Sequence, residues 1–266
     1  MADVLIVSSA QDSVSMSMAG MIREVAGQEY HESRNGRRYF KCSSFSMLEI
    51  PELHINANYL DEYKAGMIVF LSMHSSSQGV PSFTTHAEGN WSEKAELGGL
   101  PRSLGVSAPL HMLQLLKALK TLNVNGIGVT YEATHHGPLL NTPSLFVELG
   151  GSVEVMQKKE YLNVVSKSVE QLINKETDAY FSKVVVGIGS NHYPSKFTAL
   201  ALGRGYAFAH IMPRYYTSEY EMLDQAFMRS ATKPESAVID WKSINSDERG
   251  KIINKLNEMG IDYEKV

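Results

Sequence analysis

Residues Lys183–Lys196 read KVVVGIGSNHYPSK, a β-branched run that passes two glycines, enters a polar loop and reaches a helix start near Ser195. Valine and isoleucine without polar alternation suit a strand buried on both faces. A strand followed at once by a loop and a helix is the unit from which parallel α/β sheets are built. Outward from this segment, Val4–Val7, Met67–Leu71, Gly126–Tyr131 and Tyr206–Ile211 are short apolar runs of the same kind. Helical patterns lie between them. Leu110, Leu113, Leu115, Leu116, Leu119 and Leu122 form a stripe after Pro109, and Tyr161–Ile173, Phe197–Gly203, Glu219–Met228 and Asp247–Met259 follow, the last with Ser246 as its expected N-cap. The alternation predicts an α/β fold: one compact domain over 1–266 with a mainly parallel central sheet flanked by helices.

Two stretches break the rhythm and are expected as insertions. Glu29–Lys41 carries Asn35-Gly36 between polar flanks, a hairpin signal, and Ser75–Pro109 is a long Ser- and Gly-rich segment of neither periodicity. Ordered loops of that length inside compact domains are commonly functional.

Composition limits the function classes. The chain has 266 residues, a formal net charge of −4 and 43% hydrophobic residues, which excludes a strongly basic nucleic-acid clamp and extensive disorder. Cys42 stands alone, so no intrachain disulfide forms and a reducing compartment is expected. Met1–Ala10 lacks a basic leader region and reads as a first strand, and no apolar run approaches the roughly 20 residues of a membrane span. A soluble, cytoplasmic protein is expected, with no membrane contact and no evident obligate protein partner. Met16, Met18 and Met21 fit adaptable core filler, and Trp91 and Trp241 fit packing roles, Trp91 beside a pocket.

The histidines carry the chemistry. His74 follows Met67–Leu71, His135 and His136 follow Gly126–Tyr131, and His192 follows Lys183–Gly187. In a parallel sheet the carboxyl ends of the strands share one edge, and ligands bind in the crevice outside it. His86 and Glu88 lie in Thr84–Trp91 (TTHAEGNW), within the long loop expected to leave the same edge. Imidazole and carboxylate serve as general bases near neutral pH or as zinc ligands. In an extended chain His135 and His136 would face opposite ways, so one of the pair is expected in the cleft and the other against a neighbour.

The glycines of Gly187–Ser190 admit two readings: a loop whose backbone N–H groups hold an anion, with Lys196 adding charge, or simple chain reversal. The segment is not a dinucleotide fingerprint, because His192 stands where the third glycine is required. Arg34, Arg37, Arg38 and Lys41, and separately Arg204 and Arg214, form modest basic groups. Charge alone does not point to nucleic acid.

Taken together, Ala2–Ser9 with Ser13–Met21, TTHAEGNW at Thr84–Trp91, EATHHGP at Glu132–Pro138, and GIGSNHYPSK at Gly187–Lys196 resemble the archaeal and plant type of D-aminoacyl-tRNA deacylase. The resemblance extends to about Tyr215. It implies hydrolysis of the ester joining a D-amino acid to the terminal ribose of tRNA, a step in translation quality control, and an α/β architecture akin to phosphorylases or peptidyl-tRNA hydrolases. It also implies zinc. On this reading His86, Glu88, His135 and His136 activate water, Ser190, Asn191 and Lys196 contact the substrate's anionic groups, and His74 and His192 are candidates as zinc ligands or base. No H-E-x-x-H or paired-cysteine signature is present, so zinc ligands must come from distant segments, and a metal-free mechanism with histidine as base stays open. Ser75–Pro109 is expected to wall the pocket and Arg34–Lys41 to meet the acceptor stem. A metal-dependent amidohydrolase or peptidase, or a non-catalytic RNA- or nucleotide-binding module, fits the same residues.

Overall fold

The computed structural model describes residues 4–26, 29–31, 36–74, 79–123, 126–174 and 182–266. In chain order the strands are β1 (Val4–Ser9), β2 (Glu29–His31), β3 (Arg38–Lys41), β4 (Ser46–Ile50), β5 (Met67–His74), β6 (Ser82–His86), β7 (Gly89–Asn90), β8 (Ser103–Leu104), β9 (Gly128–Tyr131), β10 (Ser144–Gly150), β11 (Lys183–Ser190), β12 (Tyr206–Pro213), β13 (Ser236–Ile239) and β14 (Tyr263–Lys265). Two sheets hold most of them. The larger has the order β2-β3-β4-β1-β5-β10-β6-β9, and the smaller, β12-β11-β13-β14, is parallel throughout.

The larger sheet is mixed. β4, β1, β5 and β10 run parallel, but β6 pairs antiparallel with β10, and β9 runs parallel to β6. The predicted strands at β1, β5, β9, β11 and β12 are present, and the hairpin over Glu29–Lys41 forms as β2 against β3; its Asn35 lies outside the described residues.

Alternation divides the larger sheet's two faces. Ile6, Val69, Leu71, Leu145 and Val147 enter a core with helices Ser13–Ala26, Pro109–Leu122 and Lys159–Ile173, and Met18 is buried there as the filler its spacing suggested. Leu5, Val7, Ile68, Phe70 and Phe146 pack on the other face against Leu60. Along β5 and β10 this second face turns polar, carrying Ser72, His74 and Glu148, and its neighbour β6 contributes Thr84 and His86.

Tyr131 joins the sheets. Its backbone N–H donates to Thr198 Oγ1 (3.1 Å), and its ring packs edge-on to Phe208, which stacks on Phe197. Beyond it, Ala133 N donates to His192 O (2.8 Å) and Thr134 N to Ile211 O (3.0 Å), lacing this segment to the smaller sheet.

Two helix expectations and one loop expectation shift. Asn245, not Ser246, caps the helix Ser246–Glu258, its side chain accepting from Glu248 N at 3.0 Å. Glu219–Met228 divides into a 3-10 segment, Arg214–Met222, and a short α-helix, Leu223–Met228. Within the segment expected as a loop, Ser82–His86 is a sheet strand. Among the described residues no helix is long and apolar enough to cross a membrane.

Candidate active site

On the polar half of that second face, five imidazoles and two carboxylates gather in one cluster. His74 ends β5 and Glu148 stands in β10, so both are positioned by the sheet. His74 Nδ1 lies 3.2 Å from Glu148 Oε2 and 3.2 Å from Glu132 Oε1. His86, at the end of β6, stacks at 6° on Phe146 with ring centroids 5.0 Å apart, and its Nε2 is 3.7 Å from Glu148 Oε1. Glu148 therefore stands between the imidazoles of two strands that flank it.

The segment after β9 supplies the opposite wall. Glu132 Oε2 is 2.8 Å from His192 Nε2 and 3.6 Å from His135 Nε2. His136 takes φ +47, a left-handed conformation rare for a residue with a side chain. That turn brings both members of the pair inward: the His135 and His136 rings are 4.3 Å apart, and each lies within 4.9 Å of the His86 ring. The expectation that they diverge fails because the chain here is not extended.

Close backbone packing holds the turn. A Cβ on Gly137 would fall 2.2 Å from Gly99 N and 2.7 Å from Ile55 O. Gly89 N donates to His136 O (2.7 Å), and Trp91 Nε1 donates to Thr134 O (3.0 Å), so the buried Trp91 supports the wall from behind.

Three imidazoles share one tautomeric arrangement. The Nδ1 atoms of His86, His135 and His136 lie 3.2, 2.8 and 2.6 Å from the carbonyls of Ala87, Ala133 and Gly137. A carbonyl only accepts, so each Nδ1 carries a proton and each Nε2 is left for the cavity. Burial opposes the charged form of His86, but Glu148 outweighs it and raises the pKa to about 9. Burial and the neighbouring imidazoles hold His135 well below its ordinary value and His136 at about 4. Burial would raise Glu148, yet the bond to His74 and the nearby imidazoles of His86 and His136 bring it well below the carboxylate range. One buried region thus contains a held proton, two neutral imidazoles and an ionised carboxylate.

The donors fall into three overlapping groups, each with its ligand atoms within 4.8 Å of one another: His86, His135 and His136; Glu132, His135 and His192; and His74, Glu132 and Glu148. Imidazole nitrogen with carboxylate oxygen is a donor set that suits zinc. His86 Nε2 and both oxygens of Glu132 are buried without a hydrogen-bond partner, and a cation held by the group to which each belongs would satisfy it. The residues therefore fit the metal that the resemblance implies.

Comparison with known proteins places this arrangement. The family model for D-aminoacyl-tRNA deacylase matches residues 61–264. The chain belongs to this family. A D-aminoacyl-tRNA deacylase of Pyrococcus furiosus is 34% identical over 98% of this chain and 99% of its own length, and one of Picrophilus torridus is 32% identical over the same shares. The solved structure of a conserved protein of unknown function, AF0625, superposes with a TM-score of 0.91 at 28% identity, covering 99% of this chain and 95% of the other.

Among the deacylase-family residues singled out from the sequence, His74, His86, His135, His136 and His192 converge. The route differs from the expected one. Because β6 and β9 run against β5 and β10, the histidines meet over the face of the larger sheet, not along a shared carboxyl edge. Glu88 stands apart from the ligand groups, its Oε1 accepting from Ser144 Oγ, and burial raises its pKa to about 7.

The anion-contact set is only partly disposed for that role. Gly187 and Gly189 are strand residues of β11; a Cβ on Gly187 would meet Phe197 at 2.7 Å, so its absence serves packing. Lys196 Nζ is 2.7 Å from Asp240 Oδ1, which offsets its charge, while Ser190 Oγ is buried without a partner and Asn191 is exposed. In the hairpin, Arg38 pairs with Glu49, Arg37 lies 3.9 Å from Glu52 and 3.5 Å from the Tyr59 ring centroid, and Arg34 lies outside the described residues.

Sequence reasoning missed Glu132, Glu148, Tyr193 and His54. Tyr193 Oη is 2.5 Å from His74 Nε2, and His54 is buried behind the cluster against Phe70 and Phe146, where burial lowers its pKa to about 4. An acidic residue inside the apolar run SLFVELG was the available signal for Glu148, since a buried charge demands partners.

Proposed function

We propose that this cluster hydrolyses the ester of D-aminoacyl-tRNA, releasing the D-amino acid and a reusable tRNA. The observation that carries the reading is the convergence of His86, His135 and His136, each with Nδ1 tied to a backbone carbonyl, opposite the carboxylates Glu132 and Glu148. Membership of the deacylase family selects the ester among the bonds such a site could cleave.

His86, His135 and His136, each with Nε2 left free, would hold zinc, which when bound would supply polarisation of the ester carbonyl and a lowered pKa for water. The chain's own groups divide the remaining work. Glu132, whose Oε2 stands 3.6 Å from His135 Nε2 and makes no hydrogen bond, takes a proton from the attacking water. The water oxygen bonds to the carbonyl carbon, the bond to the ribose oxygen breaks, and that oxygen needs a proton as it leaves. His192, with 32% of its side chain exposed at the mouth, is placed to donate it. Buried Phe146 and Phe70 keep water from the rear of the cluster.

Matched D- and L-aminoacyl-tRNA, incubated with protein purified without an affinity tag, test the reading directly. Release of the D-amino acid with the L-form retained is expected, and intact D-aminoacyl-tRNA would overturn the proposal. Metal analysis of the same protein, with chelation and Zn²⁺ restoration, tests the zinc assignment.

A further inference from the structure

Most aromatic side chains among the described residues are buried or half-buried. Among the described residues, the exposed large apolar or aromatic side chains include two tyrosines, Tyr193 (41%) and Tyr215 (55%), and no Phe or Trp. Tyr193 lies against the histidine cluster, and Tyr215 leaves the neighbouring strand. Ser190 and Pro213 are register partners at the ends of β11 and β12, and Tyr193 and Tyr215 follow them by three and two residues. Adjacent strands are about 4.8 Å apart, so the two segments leave the smaller sheet side by side.

Each ring is braced. Tyr193 is edge-on to His74 and His192, at 5.6 and 4.9 Å, with its hydroxyl at His74 Nε2. Tyr215 leans on the Tyr216 ring at 4.8 Å, and Tyr216 packs into the core of the smaller sheet. Partial burial, Tyr216 and then Glu132 raise the Tyr215 phenol's pKa. Arg214, which precedes Tyr215 in the chain, stands exposed, with no carboxylate at ion-pair distance among the described residues.

Braced, solvent-facing rings with an adjacent cation are what unpaired nucleotides require: bases stack on the rings and the cation meets the phosphate. We propose that Tyr193 and Tyr215 form a stacking rim for the unpaired 3′-terminal nucleotides of tRNA, with Arg214 against their backbone. This rests on the deacylase reading, because an ester on the terminal ribose held at the cluster brings its own base out across this rim. Arg37 and Arg38, by contrast, are engaged with Glu52 and Glu49.

The test uses uncharged tRNA whose terminal adenine is replaced by 2-aminopurine, a base whose fluorescence is quenched by stacking. Quenching on binding to the full-length protein is expected. Tyr215→Leu should weaken binding about 5- to 100-fold, Tyr215→Phe should restore it to within about threefold, and KM for D-aminoacyl-tRNA should rise while kcat changes little. Absence of quenching with the unaltered protein, or equal affinity for the Leu variant at an unchanged melting temperature, would overturn the rim. The hydrolytic reading is judged separately, by release of D-amino acid from the unaltered protein.

Discussion

Glu132 Oε2 lies 2.8 Å from His192 Nε2, yet neither oxygen of this buried carboxylate makes a hydrogen bond. Proximity without that geometry marks a group whose partner is a shared cation or reacting water. Glu132→Gln keeps the shape and removes the charge. Deacylation should fall about 100-fold or more, and bound metal should fall with it. Single-turnover hydrolysis and metal content, read on protein with an unchanged circular dichroism spectrum, check this.

His135→Ala and His136→Ala each remove one of the Nε2 atoms facing the cavity, and His192→Ala removes the imidazole at the mouth. Each should cost about 100-fold or more in turnover. Near-normal turnover in all three, with the fold intact, would refute the assignment of the cluster as the site of chemistry.

Proton and metal compete for His86. Its pKa of about 9 means that the metal-free protein holds a proton there at pH 7, and metal must displace it. Zinc affinity should therefore rise with pH from 7 to 9, by up to about tenfold per unit. Calorimetry in buffers of different ionisation enthalpy should record proton release on binding at pH 7; a pH-independent affinity would contradict the arrangement.

Asp61 anchors the approach to β10. Its carboxylate accepts from Asn141 N, Thr142 N and Thr142 Oγ1 at 2.7–3.1 Å, and these bonds outweigh burial to lower its pKa. A carboxylate depressed on folding contributes stability that is present above its ordinary value of 3.8 and is lost as pH falls through the folded value. Asp61→Asn should cost about 2 kcal/mol at pH 7, with a smaller deficit below pH ~3. Urea unfolding at the two pH values measures the difference.

Gly137→Ala tests the turn that brings His136 inward. The added methyl would meet backbone of Gly98, Gly99 and Ile55, none of which is a yielding side-chain tip. A loss of about 2–3 kcal/mol in stability is expected, with a fall in turnover exceeding what the unfolded fraction explains. Thermal unfolding and kcat on the same preparation separate the two effects.

Much of this was visible in the linear chain, because β1, β5, β9, β11 and β12 are short apolar runs and four of the histidines stand just beyond three of them, β5, β9 and β11. The central strand β10 was not. Its Glu148 interrupts the apolar pattern, and only His74 and His86, distant in sequence, make that carboxylate tolerable. Strand β6 (SFTTH) is too polar to stand out from the surrounding serines and glycines. Its antiparallel pairing with β10 depends on long-range partners, so the direction of β9 was hidden as well. Glu132 sat unremarked beside the conspicuous His135-His136 pair, although its carboxylate connects three of the histidines.

The hydrogen bonds from Ala133 to His192 and from Thr134 to Ile211 give the cluster two owners: His74 and His86 belong to the larger sheet, His192 to the smaller. An ion coordinated across that divide would act as a rivet, stabilising only the docked pair of sheets. Prying the halves apart and emptying the cluster then become one event, so thermal resilience and catalytic competence would be lost together.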